Sequence, residues 1–226
     1  SGELIAETAS RLLRAPRYLG RSEIAADVKL QHHIDVLTRG GWRGEDGYND
    51  RHRGFDLIAR HLVSLGRSFR YVETGTIRSR EDWKGAGFST YLFAELAHRT
   101  GGHVVSVDNE PARCAFALIH TAPFSANVTV TVSDSILFLR EYKGESIDTL
   151  YLDSRDTNAP GHAEHALEEC QIGAKHVSPG GIIAFDDTQW SKGAYVGKGA
   201  LGVPWLLEQG WELLHSGHQV VLRNRR

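Results

Sequence analysis

A chain of 226 residues is long enough to bury one sizeable core, and its 26 Lys and Arg against 28 Asp and Glu leave a net charge of −2. That balance gives no electrostatic footprint for nucleic acid or an acidic membrane, and no apolar run approaches the roughly 18–20 residues that a membrane-spanning helix needs. Cys114 and Cys170 fall in helix-like segments without metal-type spacing, and the amphipathic N-terminus does not read as a secretory signal, so the expectation is a cytoplasmic protein with reduced thiols.

In chain order, residues 1–67 read as a helical region. "ELIAETASRLL", "SEIAADVKLQHHIDVLT" and "GFDLIARHLVSLG" each space apolar residues at three and four. Between the second and third lies "RGGWRGEDGYNDRHRG", polar and glycine-rich, which reads as a solvated loop or a lid. The expectation is a cap over the active site or a subunit contact, preceding a domain over 68–226. From Ser68 onward strand-like and helical runs alternate. The strands are "FRYVE", "HVVSVD", "NVTVTV", "IDTLYLD" and "GIIAFDD", apolar and β-branched enough for a parallel sheet buried on both faces. "WELLHSGHQVVLRN" then predicts a closing antiparallel hairpin about Ser216-Gly217.

Acids stand at the strand ends: Glu73, Asp108, Asp153, and the pair Asp186-Asp187. Ligands of such sheets bind outside the carboxyl ends of the strands, so these residues converge on one site, although any one of them could merely cap the next helix. A dinucleotide is disfavoured, because Gly85 and Gly87 lie about a dozen residues past the strand and Gly75 stands alone. An amino-acid-tailed nucleoside suits the pattern better. Glu73 would meet an ammonium, the backbone from Gly87 through Ser89 to Thr90 a carboxylate, Asp108 the ribose hydroxyls, and Asp134-Ser135 an adenine amine. That ligand is S-adenosylmethionine.

From about Arg70 to Arg223 the chain resembles the class I S-adenosylmethionine-dependent methyltransferases. "VETGT", containing Thr74 and Gly75, looks like their first motif, "VVSVDNEP" their second, and "VTVSDSILFL" the adenine-contacting one. Ile77 stands where the compact first motif has glycine, and the loop 76–86 is expanded. The resemblance implies a Rossmann-like, doubly wound α/β fold of seven strands with one antiparallel strand. "IDTLYLDSRD…GGIIAFDDTQW" is similar to the catechol and macrocin O-methyltransferase groups, which implies a divalent metal, Mg²⁺ or another, held by Asp153, Asp186 and Asp187. The physics agrees, since three converging carboxylates repel and a hard cation with oxygen ligands removes the conflict. Asp153 would also border the cofactor.

For the base, Asp156 stands where the catechol group has lysine, and His162, His165 and Lys192 are the nearby alternatives. His162 and His165, three apart, could suggest a zinc pair but read better as a solvated helix face. Trp83 and Trp190 flank the motifs at the sheet edge. The expected activity is methyl transfer to a hydroxyl of a small molecule, a catechol or sugar diol, by a homodimer. A cephalosporin-hydroxylase-like enzyme and a non-catalytic binding protein of the same fold are the rivals.

Overall fold

The computed structural model describes residues 51–79, 82 and 88–226. The first two predicted helices, Trp42, Tyr48, Trp83, Gly85 and Gly87 lie outside the described residues. Helix α1 spans Arg51–Ser64, followed by β1 (Arg70–Thr74), α2 (Ser89–Thr100), β2 (His103–Asp108) and α3 (Pro111–Thr121). A short 3₁₀ segment leads into β3 (Val128–Val132), then α4 (Ser135–Glu141), β4 (Ile147–Leu152), α5 (His162–Gly173) and β5 (Val177–Phe185). Strands β6 (Thr188–Ser191) and β7 (Ala194–Gly197) form a separate hairpin. Helix α6 (Gly202–Glu208) and strands β8 (Glu212–Ser216) and β9 (Val220–Arg223) complete the chain.

Seven strands form one sheet in the order β3-β2-β1-β4-β5-β9-β8. The first five are parallel, and β9 alone runs against its neighbours β5 and β8, as the sequence predicts. The order reverses between β1 and β4, which opens a crevice at their carboxyl ends. The strands divide the core by their two-residue period. Tyr71, Tyr151, Ile182 and Ala184 face a cluster built with α1 and α2. Val72, Leu150, Leu152, Ile183 and Phe185 face the opposite cluster with α5 and α6. Burial on both faces is why these strands read as continuous apolar runs.

Two features depart from the sequence expectation. Helix α1 begins at Arg51, inside the stretch read as a polar loop, and buries Phe55, Ile58, Ala59, Leu62 and Val63 in the same core as the sheet. The β6–β7 hairpin was not anticipated; its strands are short, and its turn uses positive φ at Lys192 (50°) and Gly193 (85°), the conformation that primed hairpin turns require. No helix among the described residues is long and apolar enough to cross a membrane.

Candidate active site

A cavity of about 350 Å³ lies at the carboxyl edge, within the range of small-ligand pockets, lined among others by Gly75, Asp108, Asp134, Ser135 and His165. A narrower recess continues from it past Gly75, Asp108 and Ser154 to Arg51, Asp153 and Asp187. Gly75 has φ of 83°, and a Cβ there would lie 2.5 Å from the carbonyl oxygen of Asp153, so only glycine lets β1 turn this close to the end of β4. Asp108 is 5% exposed; its carboxylate accepts from the backbone N–H groups of Thr76 (3.3 Å) and Glu110 (2.8 Å). Asp134 caps α4, accepting from Leu137 N at 2.9 Å, and still borders the cavity. Capping and lining are thus compatible roles.

Glu73 is placed differently from the expectation of an ammonium contact. It is fully buried and accepts hydrogen bonds from the hydroxyls of Thr90, Ser106 (2.6 Å) and Tyr71 (3.2 Å). Burial pushes its carboxyl up against the pull of those hydroxyls. Thr90 also accepts from Ile77 N at 3.2 Å, so Glu73 anchors the start of the long loop to α2 through this threonine. Ile77 itself is 2% exposed, an apolar replacement for glycine that fills the core. Ser89 begins α2 and is buried, and Thr74 is buried within β1.

Asp153, Asp186 and Asp187 converge, but on side-chain cations. Arg51 Nε donates to both oxygens of Asp186 (2.8 and 3.1 Å), and its terminal nitrogen donates to Asp187. Lys198 is 2% exposed; it donates to Asp153 and lies 3.3 Å from Asp187. His218 Nε2 stands 3.0 Å from Asp187. Asp187 adopts a left-handed φ of 41°, unusual away from glycine and common at functional sites. Burial opposes ionisation of Asp187, yet His218, Lys198 and Arg51 together hold its carboxyl well below the usual range. Burial would lower Lys198, but Asp153, Asp187 and Asp186 keep it charged. The repulsion that called for a metal in the sequence is therefore met by Arg51 and Lys198. For a divalent ion, Asp186, Asp187 and His218 offer one ligand atom each, all within 4.8 Å of one another, and Asp153 is outside that group. The donor types suit such an ion, and in this structure Arg51 occupies two of the three carboxyl and imidazole ligands, Asp186 and Asp187.

The candidate bases are dispersed. Asp156 is exposed and paired with Arg78 at 3.0 Å, bridging the long loop to the segment after β4. His162 contacts the carbonyl oxygen of Ala159 at 3.0 Å. Lys192 is exposed at the β6–β7 turn, and the lysine that meets Asp153 is Lys198, six positions on. His162 and His165 do not form a metal group with a third ligand among the described residues. Trp190 is 59% exposed and packs edge-to-face on Tyr195 of the hairpin. Sequence reasoning missed Arg51, Lys198 and His218. Arg51 sat in an apparent loop, and the signal that could have found the others was the need of a buried acid pair for nearby cations.

A family model described as a methyltransferase domain matches residues 84–188. No curated protein sequence matches the chain. Among solved structures, the N-methyltransferase NodS from Bradyrhizobium japonicum WM9, bound to S-adenosyl-l-homocysteine, is 15% identical with a TM-score of 0.53, over 92% of this chain and 98% of its own. A candidate caffeoyl-CoA O-methyltransferase from Staphylococcus aureus is 15% identical with a TM-score of 0.55, over 87% of this chain and 95% of its own. Cofactor-bound Rv0187 from MTB is 16% identical with a TM-score of 0.52, over 99% of this chain and 90% of its own. With this sheet order and its closing antiparallel hairpin, the chain has the Rossmann-like methyltransferase fold, and residues 84–188 match a methyltransferase domain.

Proposed function

We propose that this enzyme transfers the methyl group of S-adenosylmethionine to a hydroxyl of a small molecule. The observation that carries the reading is the two-part cleft at the sheet edge. One part holds Asp108, Asp134 and Ser135 for an adenosyl group, and the other is a charged recess of only about 30 Å³ beside Asp153, Asp187 and Arg51, which would admit a polar acceptor only on opening. In the reaction the acceptor oxygen forms a bond to the methyl carbon as the carbon–sulfur bond breaks. The sulfonium becomes the neutral thioether of S-adenosylhomocysteine, and the hydroxyl proton leaves to a base. Charged Lys198 orients Asp153 and cannot itself accept that proton, so the carboxylates of the cluster are the acceptors on offer. Much of the acceleration comes from holding oxygen and methyl group in line. A divalent cation such as Mg²⁺, held by Asp186, Asp187 and His218, would supply Lewis-acid polarisation of the acceptor oxygen.

The test is calorimetric titration with S-adenosylmethionine and S-adenosylhomocysteine, followed by a mass-spectrometric screen of catechols and glycosides for methylated product. Asp108→Ala should weaken S-adenosylhomocysteine by about 2–4 kcal/mol, since it removes the carboxylate that would accept both ribose hydroxyls. Tight NADH binding without any heat from the sulfur ligands would overturn the cofactor assignment. Methyl transfer only to amines would overturn the acceptor.

A further inference from the structure

His165 and Glu169 are not used by the reaction; His165 lines the larger of the two cavities, and Glu169 is its neighbour on α5. Glu169 is fully buried, and neither of its carboxylate oxygens accepts a hydrogen bond from a described residue. Its ionic partner is His165, one helical turn earlier on α5, with Nε2 at 3.3 Å. The same Nε2 lies 3.2 Å from the hydroxyl of Ser135, the residue that opens α4. His165 and Ser135 both line the cavity that also holds Asp108 and Asp134. Because both contacts are made through Nε2, this is no hydrolytic triad, which needs the two ring nitrogens engaged on opposite sides. The contacts leave Nδ1 as the ring nitrogen for a ligand.

A buried carboxylate costs several kcal/mol unless a charge compensates it, and His165, 3.3 Å from Glu169, is placed to supply that charge. We infer that His165, charged and held in place by Glu169 and Ser135, is a binding residue for the purine end of the cofactor and donates its Nδ1–H to an acceptor nitrogen of the ring. The inference rests on the S-adenosylmethionine reading and deepens it. The charges facing the imidazole agree with the assignment on balance. The Glu169 contact raises its pKa, burial opposes, Arg155 from the loop after β4 opposes, and Asp134 at the start of α4 raises it again, with a net upward shift. Ligand affinity must then depend on pH with a fixed sign. The donor is present below the histidine's titration point and is lost as pH rises through it.

The experiment measures S-adenosylhomocysteine affinity by calorimetry from pH 5.5 to 8, on wild type, His165→Gln and Glu169→Gln. Wild type should weaken by roughly tenfold or more as pH rises, the worth of one charge-assisted hydrogen bond. His165→Gln should bind with the weak affinity at every pH, and Glu169→Gln should move the transition to lower pH. If Glu169→Gln folds poorly, NMR titration of the wild-type imidazole supplies the second readout, because bound S-adenosylhomocysteine must raise its midpoint by linkage. A flat wild-type profile overturns the role of His165 and leaves the cofactor assignment standing. Affinity that rises with pH also overturns it, since Nδ1 would then be accepting from an adenine amine. No binding at any pH overturns the cofactor reading and this inference with it.

Discussion

Arg51 Nε lies 2.8 Å from Asp186 Oδ1, joining the first turn of α1 to the end of β5 across 135 residues. Both side chains are nearly excluded from water, at 5% and 1% exposure. Gly54, one helical turn after Arg51, leaves room for the side chain of Gln219, whose Oε1 lies where a Cβ would stand. The pair therefore sits where fold and site meet.

Removing one partner of such a pair leaves a buried charge uncompensated. Arg51→Ala should destabilise the protein by about 3–5 kcal/mol, read from the urea midpoint. Arg51→Lys should recover only part of this, since an ammonium cannot span Asp186 and Asp187 as the guanidinium does. A change within about 0.5 kcal/mol for Arg51→Ala would show that the pair is not coupled to folding.

Arg51 also competes for the carboxylates that a metal would use. Mn²⁺ should bind Arg51→Gln more tightly than wild type, by calorimetry or electron paramagnetic resonance. Asp186→Asn added to that variant should abolish the gain. Equal affinity in wild type and Arg51→Gln would place any metal away from Asp186 and Asp187.

Helix α1 contributes five buried apolar residues to the core. A chain beginning at Ser68 exposes the sheet face they cover and should lose cooperative unfolding, whereas one beginning a few residues before Arg51 should keep it. A cooperative thermal transition in the shorter chain would refute this.

Gly75 and Gly180 form a controlled comparison. Both have positive φ, 83° and 76°, but a Cβ at Gly75 meets the backbone of Asp153 at 2.5 Å while one at Gly180 meets nothing within 4 Å. Gly180→Ala should cost only the backbone strain of about 1–2 kcal/mol. Gly75→Ala should cost more and should also weaken S-adenosylhomocysteine, because β1 must move away from β4 at the cavity. Equal costs for the two variants would argue against the close approach.

Lys198→Met should be least tolerated at neutral and higher pH. Lys198 stays charged throughout the accessible range, so the titrating partner is Asp153, whose carboxyl burial raises against the opposing pull of Lys198. Without the lysine that carboxyl rises further, and the folded state takes up a proton more readily than the unfolded one. The deficit of the variant, about 3 kcal/mol or more at pH 8, should therefore shrink as pH falls toward 5. A deficit independent of pH would mean that lost packing, not charge, is the cause.

The sequence by itself determined the sheet and which acids stand at its carboxyl edge. Runs such as "HVVSVD" and "IDTLYLD" carry their period and their terminal acids within a few residues, and strand formation and strand-end chemistry are local properties. Only the tertiary structure decided what those acids meet. Arg51, Lys198 and His218 reach Asp186, Asp153 and Asp187 from sequence separations of 135, 45 and 31 residues. The same holds for Glu73, turned in toward Thr90 and Ser106, and for His165, set against Ser135. Periodicity reports which face of an element is buried. Which charges become neighbours depends on how α1, the β6–β7 hairpin and the β8–β9 turn pack over the sheet edge, and no local pattern records that packing.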